Sequence, residues 1–188
     1  VPTESPAPVP APVLAPEIEA ATDVINGVRA AWAGLHPELD TAPIDVIGRI
    51  LRASALVTRA GDEFLARYGL TRGEFDILAA LRRQPEPQSP GSLRTVALAT
   101  GPATTKRLRS LEARMLVDRS PNPADGRGAL ISLSASGTAL IDEVFPALLA
   151  VERELLTGIP SGVRPGLVDG LRALLASLES HPEAPTTD

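Results

Sequence analysis

The chain has 188 residues, 44% hydrophobic, 22% charged and only 3% aromatic, with no cysteine. That length suits one ordinary domain, or a domain with arms, and the scarcity of aromatics means a core built from Leu, Val, Ile and Ala; the absence of cysteine excludes disulfide scaffolds, thiolate metal sites and a cysteine nucleophile. Net charge is −5, but residues 94–127 hold seven basic side chains against three acidic ones, so one basic block sits in an acidic chain.

Residues 1–16 carry six prolines and no basic residue, the composition of a polyproline-like disordered leader. From Glu17 onward Ile18, Ala21, Ile25, Val28, Trp32 and Leu35 recur at spacings of 3 and 4. This is a narrow stripe suited to packing on another helix, within the fold or across a dimer. His36-Pro37 to Ala42-Pro43 forms a turn, a helix is expected over 44–68, and Gly69 stops it. Thr71 and Glu74 make a capping box that starts the next helix. The proline-rich run Pro85 to Gly91 ends that helix, and a short helix over 92–99 follows. The helix expected over 102–115 has Pro102 in its first turn and buries Leu108, Leu111 and Met115. Runs 116–120 and 129–133 read as strands joined by a turn-rich link over 121–128. Helices over 136–157 and 163–179 close the chain, the second with Leu167, Leu171, Leu174 and Leu178 on one face.

The expected fold class is therefore mainly α with a small β-hairpin, a winged helix-turn-helix lobe plus a helical dimerisation region. The expected organisation is a leader (1–16), one domain (17–180) and a tail (181–188). Within the domain, 17–68 holds the N-terminal helices, 70–134 the winged lobe and 136–180 the dimerisation helices. In such a lobe the second helix enters the major groove of double-stranded DNA and the hairpin tip reaches the backbone or minor groove. The helix over 102–115 fits: Lys106 and Arg109 lie opposite its apolar side, Ser110 lies near them, and Arg107 and Arg114 flank. A basic face of this kind meets phosphates, and arginine also reads guanine. Ser92, Arg94, Thr104, Thr105 and Arg127 complete the expected DNA-binding set.

No paired-carboxylate cleft, Gly-rich phosphate loop or metal-ligand spacing occurs, and His36 and His181 each precede proline outside any hydrolase context. An enzyme is disfavoured, and neither a catalytic residue, a cofactor nor a metal is expected. No run approaches the length of a membrane span and none reads as a secretory signal, so cytoplasmic placement is the expectation.

Four stretches carry a resemblance: 70–81 (LTRGEFDILAAL), 107–119 (RLRSLEARMLVDR), 122–127 (NPADGR) and 131–137 (ISLSASG). Over about 44–180 the chain resembles the MarR-type transcriptional regulators. The third stretch is similar to the family's wing signature and the fourth to its entry into the next helix, with Ser134 in place of threonine. Two positions depart from the pattern, Met115 where glycine is usual and Gly128 where the wing often has arginine or serine. The resemblance implies a homodimer held by the terminal helices on an inverted-repeat operator of roughly 16–20 base pairs.

The run Trp32 to Pro43 followed by Gly48-Arg49-Ile50 is similar to the urate-responsive subgroup of that family. It implies a ligand pocket using Trp32, Arg49, Asp76 and Arg127, with a small anionic ligand, urate or a related purine, releasing a repressor from DNA. Arg49 is suited to pairing with an anion and Trp32 to stacking on a flat ring, while Asp76 sits on the helix leading into the DNA-reading lobe and would couple the two sites negatively. Each residue also has a plainer reading: Trp32 as helix packing, Arg49 with Asp76 as a structural ion pair, Arg127 as a backbone contact. Two alternatives stay open, the same regulator answering a tricarboxylate or other anion, and a winged-helix protein–protein adaptor.

Overall fold

A computed structural model describes residues 23–84, 86–96, 101–123 and 125–180; the expected leader, the first turns of the first helix and the tail lie outside these. The elements are α1 (Val24–Leu35), α2 (Pro43–Ala66), α3 (Arg72–Arg83), α4 (Pro90–Val96), α5 (Gly101–Ala113), β1 (Val117–Asn122), β2 (Asp125–Leu133), α6 (Ala135–Leu155) and α7 (Arg164–Ser180). Helices with one small antiparallel hairpin are the expected class. The chain divides into two compact units, 52–157, and 1–51 with 158–188.

The unit 52–157 holds the core. Phe64, Leu65, Phe75, Ile77, Leu78, Leu93, Leu108, Leu111, Val117, Ile131, Ile141, Val144 and Leu148 are buried together, drawing on the end of α2 and on α3 through α6. Leu65 and Leu70 are linked by a backbone bond around Gly69, whose φ of 64° closes α2 in the left-handed form. α3 starts at the expected capping box: Thr71 Oγ1 accepts from the Glu74 N–H, and the Glu74 carboxylate accepts from the Thr71 N–H. α4 begins two residues before the expected Ser92, because Pro90 takes the first helical position and the Ser89 hydroxyl accepts from the Ser92 N–H.

Two expectations in this unit are corrected. Met115 is 75% exposed, not buried with Leu108 and Leu111. α5 ends at Ala113, and Met115 turns the chain at φ 55°, which swings its side chain outward. The hairpin is also longer than expected. Its ladder runs from Val117 opposite Leu133 to Pro121 opposite Ala129, with Asn122 opposite Asp125 beyond an irregularity, so most of the supposed 121–128 loop is strand. Gln88 adds a further bridge, exchanging two backbone bonds of 2.8 Å with Ile131.

At the far end of the hairpin, Ser134 caps α6 by accepting from the Gly137 N–H at 3.0 Å. The hydroxyls of Ser134 and Ser136 both donate to the Met115 carbonyl, at 2.7 and 2.6 Å. A Cβ at Gly137 would collide with the Leu116 carbonyl oxygen, so only glycine lets α6 start this close to β1.

In the other unit, Asp23 caps α1 by accepting from the Ile25 N–H at 2.9 Å, and Ile25 rests against Gly48 of α2. Neither α1 nor α7 buries a residue among those described. Val28, Trp32 and Leu35 of the expected α1 stripe are exposed, as are Leu167, Leu171, Leu175 and Leu178 of α7.

Candidate nucleic-acid interface and ligand residues

α5 presents two unlike sides. Leu108 and Leu111 face the core at 3% and 0% exposure, while Lys106 and Arg109 are exposed, and no salt bridge among the described residues engages either cation. This outward pair lies opposite the apolar side, where the sequence pattern put it. Thr105 is exposed beside them. Thr104 corrects the expected set: it is 1% exposed and belongs to the inner side of α5, where its hydroxyl is out of reach of an external partner. Ser92 is exposed, and its hydroxyl lies 2.9 Å from that of Ser89 in the α4 cap. Arg94 lies in α4 and Arg127 in β2; their side chains are outside what the structure describes.

Three residues flanking the outward pair turn back onto α3. The Arg107 guanidinium packs over Gly73, where a Cβ would clash with it. Ser110 Oγ donates to Glu74 Oε1 at 2.6 Å. Arg114 Nη1 donates to the Gly69 carbonyl at 2.9 Å and stands 3.9 Å from Glu74 Oε2. Burial pushes the Glu74 carboxyl up, but the bonds from Ser110 and Thr71 and the charge of Arg114 outweigh it and hold it below its ordinary value.

The four expected ligand residues fall in both units: Trp32 and Arg49 in the first and last stretches of chain, Asp76 and Arg127 in 52–157. Trp32 is 48% exposed and its ring stacks on His36 at 5.9 Å. Arg49 is held by two carboxylates. Its Nε and Nη2 donate to Asp23 Oδ2 at 2.8 and 2.5 Å, Nη2 also donates to Asn26 Oδ1 at 2.7 Å, and Nη1 meets Asp45 Oδ1 at 3.2 Å. The Asp23 bond and charge keep the guanidinium more firmly protonated and hold the Asp23 carboxyl low. The ion pair of Arg49 is thus with Asp23 and Asp45, while Asp76 pairs with Arg72 at 3.3 Å.

Asp76 lines a cleft of about 250 Å³ between α3 and α6, with Arg72, Phe75, Arg83, Phe145 and Glu152 among its walls. The Phe75 and Phe145 rings stack at 6.4 Å and 8°, and the Arg72 guanidinium lies 5.7 Å from the Phe75 ring. Burial raises the Asp76 carboxyl, with Arg72, Arg107 and Arg83 opposing without reversing it. The cleft sets the stacked Phe75 and Phe145 rings beside two guanidinium groups, Arg72 and Arg83, and two carboxyl groups, Asp76 and Glu152. Sequence reasoning missed Arg72, Arg83 and Phe145. The two arginines were within reach, since Arg72, Asp76, Ala79 and Arg83 recur at spacings of 4, 3 and 4 on one helix face; Phe145 arrives from a distant helix, and no local signal marks it.

Comparison with known proteins agrees with this architecture. The MarR family pattern matches residues 68–128, which span α3, α4, α5, β1 and the hairpin turn. The chain is 34% identical over 159 residues to the HTH-type transcriptional regulator PecS of Dickeya dadantii, covering 84% of this chain and 93% of PecS. It is 32% identical over 147 residues to the HTH-type transcriptional repressor NicR of Pseudomonas putida, covering 76% of this chain and 92% of NicR. Among solved structures it is similar to Bordetella bronchiseptica BpsR, whose DNA binding is regulated by 6-hydroxynicotinic acid. There the TM-score is 0.61 with 26% identity over 68% of this chain and 97% of BpsR.

Proposed function

Since the chain belongs to the MarR family of winged helix-turn-helix transcriptional regulators, we propose that it is a repressor that binds an inverted-repeat operator as a homodimer and is released by a small anionic ligand, urate or a related purine. The observation that carries the DNA reading is the outward pair Lys106 and Arg109 on a helix whose other side is locked into the core. Lys106 supplies phosphate contact, and Arg109, three residues on, reaches a base edge. β1 and β2 follow directly, and Arg119 and Arg127 in their sequences are the backbone contacts of the proposed wing.

Release follows from charge. An anion entering the cleft beside Asp76 is drawn by Arg72 and Arg83 and repelled by Glu152 and by Asp76, which stands on α3, the helix that supports α5 through Arg107 and Ser110. A ligand that shifts α3 shifts the reading helix, so ligand and DNA bind with opposite preference. In the other unit, Arg49 can exchange Asp23 for an anion's negative charge, and Trp32 offers a half-exposed ring.

The test is fluorescence anisotropy on the DNA upstream of the chain's own gene, titrated with urate at fixed salt. Binding is expected to weaken steeply as salt rises and to be reversed by urate. Arg109→Ala is expected to raise the operator Kd about tenfold, as loss of a base contact does. Arg49→Ala is expected to leave DNA binding intact and to blunt urate release. Release by citrate and not urate assigns the ligand to the tricarboxylates, and absence of binding at low salt supports the adaptor reading.

A further inference from the structure

Glu74 is the one charged side chain buried among the described residues, at 6% exposure. Its position in the α3 capping box accounts for only one of its two carboxylate oxygens. Oε2 accepts from the Thr71 N–H and the Thr71 hydroxyl, both at 2.9 Å, and this completes the cap. Oε1 is directed elsewhere, to Ser110 Oγ at 2.6 Å, the shortest of its bonds and one that spans 36 residues of sequence. Ser110 is on α5, one residue after Arg109 and four after Lys106.

The two kinds of contact that hold α5 do different things. Leu108 and Leu111 set the depth of the helix by apolar burial, which has no preferred direction and tolerates rotation about the helix axis. A short bond from a rigid buried carboxylate to the flank of the helix is directional and resists that rotation. The carboxylate is itself immobilised, by the α3 cap on one side and by Arg114, tied to the Gly69 carbonyl, on the other. The outer face of a helix stands about 6 Å from its axis, so a rotation of about 20° moves a group there by about 2 Å. That is beyond the tolerance of a base-edge hydrogen bond, whereas a phosphate attraction survives it.

We propose that Glu74 is a positioning residue for sequence reading: through Ser110 it fixes the rotation of α5, and so sets discrimination between operator and random DNA while leaving non-specific attraction unchanged. This rests on α5 being the reading helix, and it goes beyond that reading by assigning discrimination to a side chain that does not itself touch DNA.

The test uses two duplexes of equal length, the one that the wild-type chain enriches from a random pool and a scrambled version. Ser110→Ala removes the link and leaves the Thr71 cap whole. It is expected to weaken the enriched duplex about tenfold, to keep the scrambled duplex within twofold and to leave the salt dependence unchanged. Ser110→Thr retains the hydroxyl and is expected to restore discrimination. Glu74→Ala with Ser110 intact is expected to give the same loss of discrimination, along with a lower thermal stability from the broken Thr71 cap; a Glu74→Ala chain that keeps full discrimination assigns the effect to Ser110's own contact with DNA and overturns the proposal. Equal weakening of both duplexes by Ser110→Ala, or no change in either, overturns the proposal. A wild-type chain that enriches no duplex overturns the reading helix itself, and that outcome is seen before any variant is made.

Discussion

At Asp76, burial and charge meet the proposed ligand cleft. Burial raises its carboxyl above the ordinary value against the pull of Arg72, Arg107 and Arg83. With a raised folded-state value, the charged form costs stability above that pH, and the cost is relieved as pH falls through it. An anion placed in the same cleft adds further repulsion, so its binding takes up a proton. Urate is therefore expected to bind more tightly as pH falls from neutral into the range where the raised Asp76 carboxyl takes up its proton, with a binding heat there that varies with the buffer's ionisation enthalpy. Asp76→Asn is expected to bind more tightly and without pH dependence; titration calorimetry on both chains decides it, and a pH-dependent Asp76→Asn would place the coupling elsewhere. Asp76 was legible in the sequence as a candidate, but its partner was not. Arg49, which charge alone would pair with Asp76, is taken by Asp23 and Asp45, because the α1 cap and the first turn of α2 bring those carboxylates to it. Thr104 was misread for a related reason: a small polar side chain next to basic ones reads as surface, yet its helix position turns it inward at 1% exposure.

At the level of elements, starts were more legible than lengths. The caps at Thr71 and Ser134 are local, each made within four residues, so the sequence pattern contains the whole device. The hairpin depends on pairing across the strands, and Pro121 and Pro123 read as breakers. Pro121 is accommodated because β1 is an edge strand, where a missing N–H goes unnoticed. The corner between α5, β1 and α6 supplies an experiment with opposite signs. Met115 holds a left-handed φ of 55°, which costs a non-glycine residue about 1–2 kcal/mol. Glycine recovers that but loses about 0.5–1 kcal/mol through its freer unfolded state. Met115→Gly is therefore expected to stabilise the fold by about 0.5–1 kcal/mol, at no packing loss since the side chain is 75% exposed. Gly137→Ala at the same corner drives a methyl into the Leu116 carbonyl and is expected to destabilise by at least about 2 kcal/mol, the range of an overpacked site. Urea denaturation of the two variants beside the wild type checks both; a stabilised Gly137→Ala would mean that α6 can step back from β1.

For the whole molecule, the informative facts are a basic outer side of α5 in a chain of net charge −5 and a large apolar exposure on α1 and α7. The charge confines DNA contact to one face and makes it salt-sensitive. The apolar exposure argues for a second copy. Val28, Trp32 and Leu35 on α1 and Leu167, Val168, Leu171, Leu175 and Leu178 on α7 are between 40% and 71% exposed. Isolated exposed leucines are ordinary, but whole helix faces of them are not found on stable monomers. Each such side chain gains about 1.5–3 kcal/mol if fully buried, so a few of them outweigh the association entropy of a dimer. Within α7, Leu171 and Leu175 are one turn apart, so replacing both with glutamate places two charges in the middle of that face. The wild type is expected to run as a dimer at micromolar concentration in light scattering. The double variant is expected to run as a monomer, with its helical circular dichroism retained. It is also expected to lose more than tenfold in operator affinity, because each copy then grips only one half-site. If the variant instead loses helicity at unchanged mass, these leucines serve the fold of a single chain and the dimer is held by another surface.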